Sequence, residues 1–408
     1  MLEEAGAVGD AVAVALVPGK IDLQLVLACE NGNLGHVKTL TDEGADICYQ
    51  DSKTGISVLM VAASAGHTEI VRYLLQEGAP WNAVDRAYMC AGDYAAKHGH
   101  QDTVDLIMDH AVMSELLLSL TIRGDRSEYS DGSSNCQLES AVFSNVGPPS
   151  VPPESLNAVY LLSRLEYTED GQRLVDTGTN LAVMMDWERP LMARHAEWIC
   201  HADKDEQLRP QSMRILNVGF GMGIVDEEIQ RHKPTSHVII EAHSEVVRKI
   251  TANGWTSKPG VRVICDRWQD AIRVLAKEIE DAVCAPFDGI FLDTYAEDDL
   301  DLREFHSWLP KLLRPPRDVA IDNVPHQDAG RYSYYNGVCP DNVFFHGVAC
   351  ETIRLHLNRL FVDCKFEPIP VNVSDPSLWN DLSQRYWYFD MYFLPKCTFR
   401  SDQGNIKL

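Results

Sequence analysis

Three glycines at alternate positions, Gly219, Gly221 and Gly223, follow the apolar run Met213-Arg-Ile-Leu-Asn-Val218. Glu241 stands 20 residues beyond Gly221, at the end of a second apolar run. Glycines at the exit of a strand let the backbone pass close to a ligand and turn the next helix N-terminus toward it. A carboxylate that ends the following strand can accept hydrogen bonds from both hydroxyls of a ribose. Together they predict a cradle for a nucleoside-type ligand. Two ligand classes share this layout. A nicotinamide dinucleotide asks for a third small residue where this chain has Ile224. The tighter Gly219-x-Gly221-x-Gly223 spacing suits a single nucleoside with an amino-acid tail, as in S-adenosylmethionine. No Gly-Lys-Ser/Thr ending follows the loop, which excludes a Walker-type phosphate site.

The elements that must position these residues are short apolar runs alternating with helical stretches. Strands are expected over 213–218, 237–240, 261–264 and 287–292, with a helix after the glycines through Arg231. This alternation predicts a parallel α/β sheet. Asp293 follows the fourth run directly, at the carboxyl end of its strand, where such sheets bind ligands. The run Arg385-Tyr-Trp-Tyr-Phe-Asp-Met-Tyr-Phe-Leu394 is rich in β-formers and is expected to end the sheet.

The front of the chain has a different period. Ala28-Cys-Glu-Asn-Gly32, Ala62-Ala-Ser-Ala-Gly66 and Ala95-Ala-Lys-His-Gly99 resemble one another, with their glycines 34 and 33 residues apart. Val37, Val71 and Val104 keep that spacing. About 33 residues is the ankyrin period. The best unit predicts a helix over 58–65, a Gly66-His67 turn and a second helix over 69–76. Its buried stripe is Ile70, Val71, Leu74 and Leu75. Repeats of this kind bind proteins. The expected organisation is a free N-terminus over 1–20, ankyrin repeats over 21–112, a linker over 113–155 and the α/β domain over 156–408. The linker rests on the Ser/Gly-rich stretch 123–134 and on Gly147-Pro-Pro-Ser-Val-Pro-Pro153, which holds neither a helix nor a central strand.

Two domains are the default for 408 residues. The formal net charge of -24 is spread over both halves and gives no general attraction to nucleic acid or anionic membranes. A basic partner suits it better. Eleven cysteines without a C-x-x-C pair suggest free thiols in a reducing compartment and no metal site. The short apolar run 11–17 is preceded by acids, unlike a signal or transit peptide. Cytoplasm and nucleus are the expected locations.

Five islands make the expectation sharper. They are Val183-Met-Met-Asp-Trp-Glu-Arg-Pro-Leu-Met192, Ile215-Leu-Asn-Val-Gly-Phe-Gly-Met-Gly-Ile224, Ile239-Ile-Glu-Ala-His243, Asp266-Arg-Trp-Gln-Asp270 and Phe291-Leu-Asp-Thr-Tyr295. In this order they resemble the guanidinoacetate N-methyltransferases. They resemble still more the fungal protein arginine N-methyltransferases that modify the internal (δ, N5) guanidino nitrogen, which also carry ankyrin repeats. The resemblance runs from about Leu156 to Leu394. It implies a Rossmann-like class I S-adenosylmethionine methyltransferase domain behind an all-α ankyrin domain, acting on a protein, with a ribosomal protein as the expected substrate. It also implies site residues. Gly219, Phe220, Gly221, Met222, Gly223 and Ile224 would wrap the methionyl part of the cofactor. Glu241 would hold the ribose beside Ala242 and His243. Trp268 and Gln269 would flank the adenine, and Tyr160 and Met192 would close the pocket. Glu188 and Asp293 would contact the guanidino group, with Asp293 also beside the cofactor.

The chemistry fits those last two. A guanidinium is protonated at neutral pH with delocalised lone pairs, so it is a poor nucleophile. Two carboxylates can grip its planar fork, orient one nitrogen and favour loss of a proton during in-line methyl transfer. A small-guanidine methyltransferase and an inert ankyrin scaffold are the competing readings. One departure from the family pattern is the extra stretch from Pro316 to Ala329.

Overall fold

The computed structural model describes residues 19–128, 153–203, 212–316 and 329–400. The chain divides into two compact units, residues 1–127 and 128–408.

In the first unit, pairs of short helices stack: α1 (Lys20–Glu30) with α2 (Leu34–Asp42), α3 (Val58–Ser64) with α4 (Thr68–Gln76), and α5 (Ala91–Lys97) with α6 (Gln101–Glu128). Asn33 and Ser57 start their helices by accepting the amide hydrogens of His36 and Met60 at 3.0 and 3.1 Å. Ala62 and Ala63 are fully buried and let neighbouring helices approach closely. Gly66 turns the chain at φ +72°, and a Cβ there would lie 2.5 Å from the His100 ring of the next repeat. That ring bonds through Nε2 to the Ser64 carbonyl at 3.1 Å. His67 reaches Glu30 of the repeat before in the same way, at 3.0 Å. The repeating Gly-His pair therefore clasps one repeat to the next.

The expected linker begins too early. Helix α6 continues past Val112 to Glu128, because Ala111, Val112 and Leu116 keep a buried stripe and no helix breaker precedes Gly124. The Pro-rich stretch 147–152 lies outside the described residues. Pro153 opens α7 (Pro153–Leu161), the one helical position where a missing N–H costs nothing.

The second unit begins with a three-stranded antiparallel sheet in the order β1 (Leu165–Tyr167), β2 (Arg173–Asp176), β3 (Leu181–Met185). A short 3-10 turn, Asp186–Glu188, leads into α8 (Arg189–Ile199). The central sheet follows. Its strands are β4 (Arg214–Val218), β5 (Ser236–Ile240), β6 (Val261–Ile264), β7 (Gly289–Leu292), β8 (Arg331–Tyr334), β9 (Val362–Pro370) and β10 (Met391–Phe399), in the spatial order β6-β5-β4-β7-β8-β10-β9. β4 to β8 run parallel, and β10 is antiparallel to both β8 and β9. The sheet is therefore mixed where a parallel one was expected. The helices α9 (Ile224–Arg231), α10 (Ser244–Ala252), α11 (Trp268–Glu280), α12 (Asp299–Leu312) and α13 (Val343–Arg359) supply its cover.

Both faces of the sheet are apolar, as parallel strands require. One face packs Leu216, Val238 and Ile290 against Ile272, Leu275, Leu309 and Ile353. The other packs Ile215, Ile239 and Phe291 against Met192, Ile199, Val225 and Ile250. The run 385–394 does not end the sheet as expected. Its strand starts only at Met391, and β9 takes the edge. Tyr386 and Trp387 turn away into packing with Trp187, Trp379 and Tyr392. The β9–β10 connection over 371–390 is fastened to the β2–β3 hairpin. Arg173 donates to the Asn380 and Leu378 carbonyls at 2.7 and 3.1 Å, and Asn180 donates to Asp381 at 2.5 Å. Of the extra stretch 316–329, residues 317–328 lie outside the described residues.

Candidate active site

Gly219 leaves β4 at φ +91° and donates its amide hydrogen to Ile240 of β5 at 2.9 Å. A Cβ here would fall 1.8 Å from the carbonyl oxygen of Asp293, so only glycine lets the tips of β4, β5 and β7 meet. Asn217 donates to the Gly219 carbonyl at 2.8 Å and to Asp226 at 2.9 Å, fixing the loop from below. Tyr167 donates to the Gly221 carbonyl at 2.9 Å. The Met222 amide meets Met184 Sδ at 3.3 Å.

Glu241 closes the cradle at the tip of β5. One oxygen accepts the Phe220 amide hydrogen at 2.9 Å and the other accepts that of His243 at 2.7 Å. Burial raises its proton affinity, and the Phe220, His243 and Gly221 amides oppose that rise. His243 caps α10 by accepting the Glu245 amide hydrogen at Nδ1, 3.2 Å away, while Nε2 donates to the Ser163 carbonyl at 3.2 Å. Ala242 is half-buried between these two residues. Tyr160 lies against both sides of the cradle, its ring 5.1 Å from His243 and 4.8 Å from Tyr295.

The expected cofactor side chains are not all alike. Phe220, Ile224 and Met192 are buried within the hydrophobic core on one face of the sheet. Trp268 commits its ring to the opposite core, edge-on to Phe305 at 5.3 Å. Its indole nitrogen donates to both oxygens of Glu297, at 2.7 and 2.9 Å. Gln269 donates to the same carboxylate at 3.3 Å, which leaves its own Oε1 buried without a protein partner. Glu297 was not anticipated. Thr294 donates to it at 2.6 Å, and burial pushes its carboxyl up to about 7.

Glu188 is buried at the head of α8, not exposed at a helix end. Its Oε1 accepts the Met185 amide hydrogen at 3.0 Å and the Tyr386 hydroxyl at 2.5 Å. Burial, with the Asp293 charge in support, pushes its carboxyl up to about 8 against those two bonds. Asp293 is half-buried at the tip of β7, and its side chain has no hydrogen-bond donor among the described residues. Burial, then the charge of Glu241, pushes it up to about 7. Beside it, at the tip of β8, the Tyr335 hydroxyl is also buried without a protein partner. Tyr386, Tyr335 and Met184 carried no signal in their spacing, although Met184 and Tyr386 fall within runs singled out for other reasons.

Glu188, Asp293 and Glu241 thus stand close enough for Asp293 to interact electrostatically with both others, each has raised proton affinity, and Asp293 has no hydrogen-bond donor among the described residues. Such a cluster favours a cation with N–H donors as its ligand. The glycine loop, the ribose-type carboxylate and the unpaired Gln269 acceptor likewise fit a nucleoside cofactor.

Comparison with known proteins agrees in both units. Residues 25–115 match ankyrin repeats in three copies. Residues 157–312 match the guanidinoacetate N-methyltransferase family. A protein arginine N-methyltransferase 2 of Aspergillus fumigatus is 32% identical over 356 residues, 81% of this chain and 77% of the relative. One of Cryptococcus neoformans is 30% identical over 387 residues, 91% of this chain and 93% of the relative. The chain belongs to the protein arginine N-methyltransferase 2 family. The relative from Saccharomyces cerevisiae is 28% identical over 81% of this chain. Tyr335, Tyr386 and Tyr392 lie beyond residue 312, outside the guanidinoacetate match, whereas the glycine loop and Glu241 lie inside it.

A pH consequence follows for this family member. Before a cation binds, Glu188 at about 8 is mostly protonated at pH 7 and Asp293 at about 7 is half so. A bound cation favours the ionised forms, so binding at pH 7 should release protons, roughly one per ligand. Release should fade above about pH 9, where both groups have already ionised. Calorimetry in buffers of different ionisation enthalpy reads this directly. A binding heat independent of the buffer would refute it.

Proposed function

We propose that this chain transfers a methyl group from S-adenosylmethionine to the δ (N5) guanidino nitrogen of an arginine in a protein, with a ribosomal protein as substrate. The observation that carries the reading is the pair of a buried Glu188 and a half-buried Asp293, both raised in proton affinity and bare on the Asp293 side. The choice of the δ nitrogen rests on the resemblance to the δ-nitrogen enzymes. The acidic net charge of -24 suits a basic protein substrate. The ankyrin unit would add a second protein contact, and the enzyme would act in the cytoplasm and nucleus.

S-adenosylmethionine, when bound, supplies a sulfonium methyl group that a nitrogen lone pair can take up as the sulfur leaves as a thioether. The backbone of Gly219 to Ile224 would pass along its methionyl part and Glu241 would take the ribose hydroxyls. Gln269 Oε1 would accept from the adenine amino group, with Tyr160 covering the opening. Asp293 has both oxygens available and would take two N–H groups of the guanidinium fork. Glu188 has Oε2 left and would take a third. Its high proton affinity then makes it the acceptor for the proton that the nitrogen must shed.

The test is incubation with methyl-labelled S-adenosylmethionine and a ribosomal protein extract, in parallel with free guanidinoacetate. Label recovered as δ-N-methylarginine after acid hydrolysis is the expected result. The match to the guanidinoacetate family favours one alternative, and label in the small molecule alone would establish it. No label in either would leave a binding scaffold.

A further inference from the structure

Glu188 is joined to a residue 198 positions away. The Trp187 indole N–H donates to the Tyr386 oxygen at 2.9 Å, and the Tyr386 hydroxyl donates to Glu188 Oε1 at 2.5 Å. The direction of this chain is fixed. An indole nitrogen only donates, so the phenol hydrogen is left for the carboxylate. The phenol also stays a phenol, because burial and the Glu188 charge push its ionisation far up. With the Met185 amide on the same atom, Oε1 has both in-plane lone pairs engaged. Oε2 alone remains.

We propose that Trp187 and Tyr386 act as positioning residues that favour the ionised form of Glu188 and turn its Oε2 to the arginine, so that the β9–β10 connection sets how this carboxylate receives its substrate. The inference rests on the reading of Glu188 as a guanidino contact. Three observations support the connection as a built part of the site. Tyr386 is wedged between Trp187 and Trp379, with ring centroids at 5.8 and 5.2 Å. The connection is tied to the β2–β3 hairpin at Leu378, Asn380 and Asp381, and Ser383 donates to the Thr179 carbonyl at 2.8 Å. Arg385 stands over the Trp379 ring at 5.2 Å, so the next residue along is held as well.

The groups that face Glu188 come from several elements. Asp293 at the tip of β7 acts as a like charge, while Tyr335 after β8, Tyr386 on the connection and Tyr392 on β10 are neutral phenols. Asp186 on its own turn is already paired with Arg189 at 2.8 Å. Tyr386 is therefore the side-chain donor that, with the Met185 amide, offsets the repulsion from Asp293. Hydrogen bonds from neighbours strengthen one another along such a chain, which gives Trp187 a smaller share.

The experiment is Tyr386→Phe, which keeps the ring and removes one oxygen, with Trp187→Phe beside it. The acid limb of log kcat/KM for an arginine-containing protein substrate should move up by about one pH unit in Tyr386→Phe. Trp187→Phe should move it the same way by less. The dissociation constant for S-adenosylmethionine should stay within about twofold, since neither residue touches the cradle. A lowered rate with an unmoved pH limb would make Tyr386 a packing residue and overturn the inference. Infrared titration of the carboxyl band that Glu188→Gln removes gives a second measurement, on cofactor-free protein. A shift of that band in Tyr386→Phe, without any methylation of arginine by the wild type, would retain the positioning role and reject the proposed reaction. An unshifted band would reject the positioning role whatever the activity.

Discussion

Asp293→Asn is expected to lower kcat by about 10³-fold while the protein stays folded and binds its cofactor within about tenfold of wild type. The amide has the same shape as the carboxylate but only one acceptor. Its NH₂ group would face the N–H groups of the guanidinium fork, replacing a charge-assisted pair by a donor–donor contact. Stability should move the other way. The folded Asp293 carboxyl lies near 7, above its ordinary value of 3.8. Such a group makes its full contribution below 3.8, loses it progressively as pH rises from there, and has lost it once pH passes 7. A neutral amide does not titrate, so the melting temperature of the variant relative to wild type should rise from about pH 4 to about pH 7 and level off above that. Loss of turnover together with that gain would mark Asp293 as held against folding for the sake of its ligand. A variant with more than a tenth of wild-type kcat would remove Asp293 from the chemistry.

Gly219→Ala should abolish measurable cofactor binding and destabilise the second unit by roughly 2–4 kcal/mol. The added methyl would sit 1.8 Å from the Asp293 carbonyl oxygen, and the backbone is at φ +91°, where L-residues are strained. The contact is with backbone, not with a flexible side chain that could swing aside. Relief needs the tips of β4 and β7 to part, which would displace the glycine loop and Asp293 together. Thermal unfolding and cofactor titration on one preparation test both halves of the expectation. Binding within tenfold of wild type would show that the strand tips tolerate separation.

The residues that could be read from the chain are those whose role is local. The glycine loop, Glu241 and Asp293 each end or follow a strand, so an apolar run and the residue after it locate them. The ankyrin helices were legible for the same reason, through a period that repeats. Glu188 needed a resemblance, because a carboxylate before Arg189-Pro190 looks like an exposed helix start until α8 is packed on the sheet. Tyr386, Glu297 and Met184 depend on partners brought from elsewhere: Tyr386 on Glu188, Glu297 on Trp268, Met184 on Met222. Nothing in the spacing of a side chain records a partner 198 residues away. The mixed sheet escaped notice for a similar reason, since strand order is set by pairing between distant segments. Helix α6 was cut short because composition alone marks where a linker is plausible, not where a buried stripe stops.

The place of β10 between β8 and β9 has a consequence for how the protein is made. Synthesis delivers β8 first, then β9, and only afterwards the strand that must enter between them. Until β10 has cleared the ribosome's exit tunnel, β8 presents an unpaired edge, and β9 has no partner in the sheet. Open edges of that kind recruit strands from other chains. The nascent protein therefore passes through an interval in which it is prone to mispair, and closing the sheet waits on a contact between segments far apart in the chain. A stop codon just before Met391 would make that interval permanent. The product would lack the closing strand of its sheet and would be a candidate for aggregation and proteolysis, even with the whole glycine loop in place.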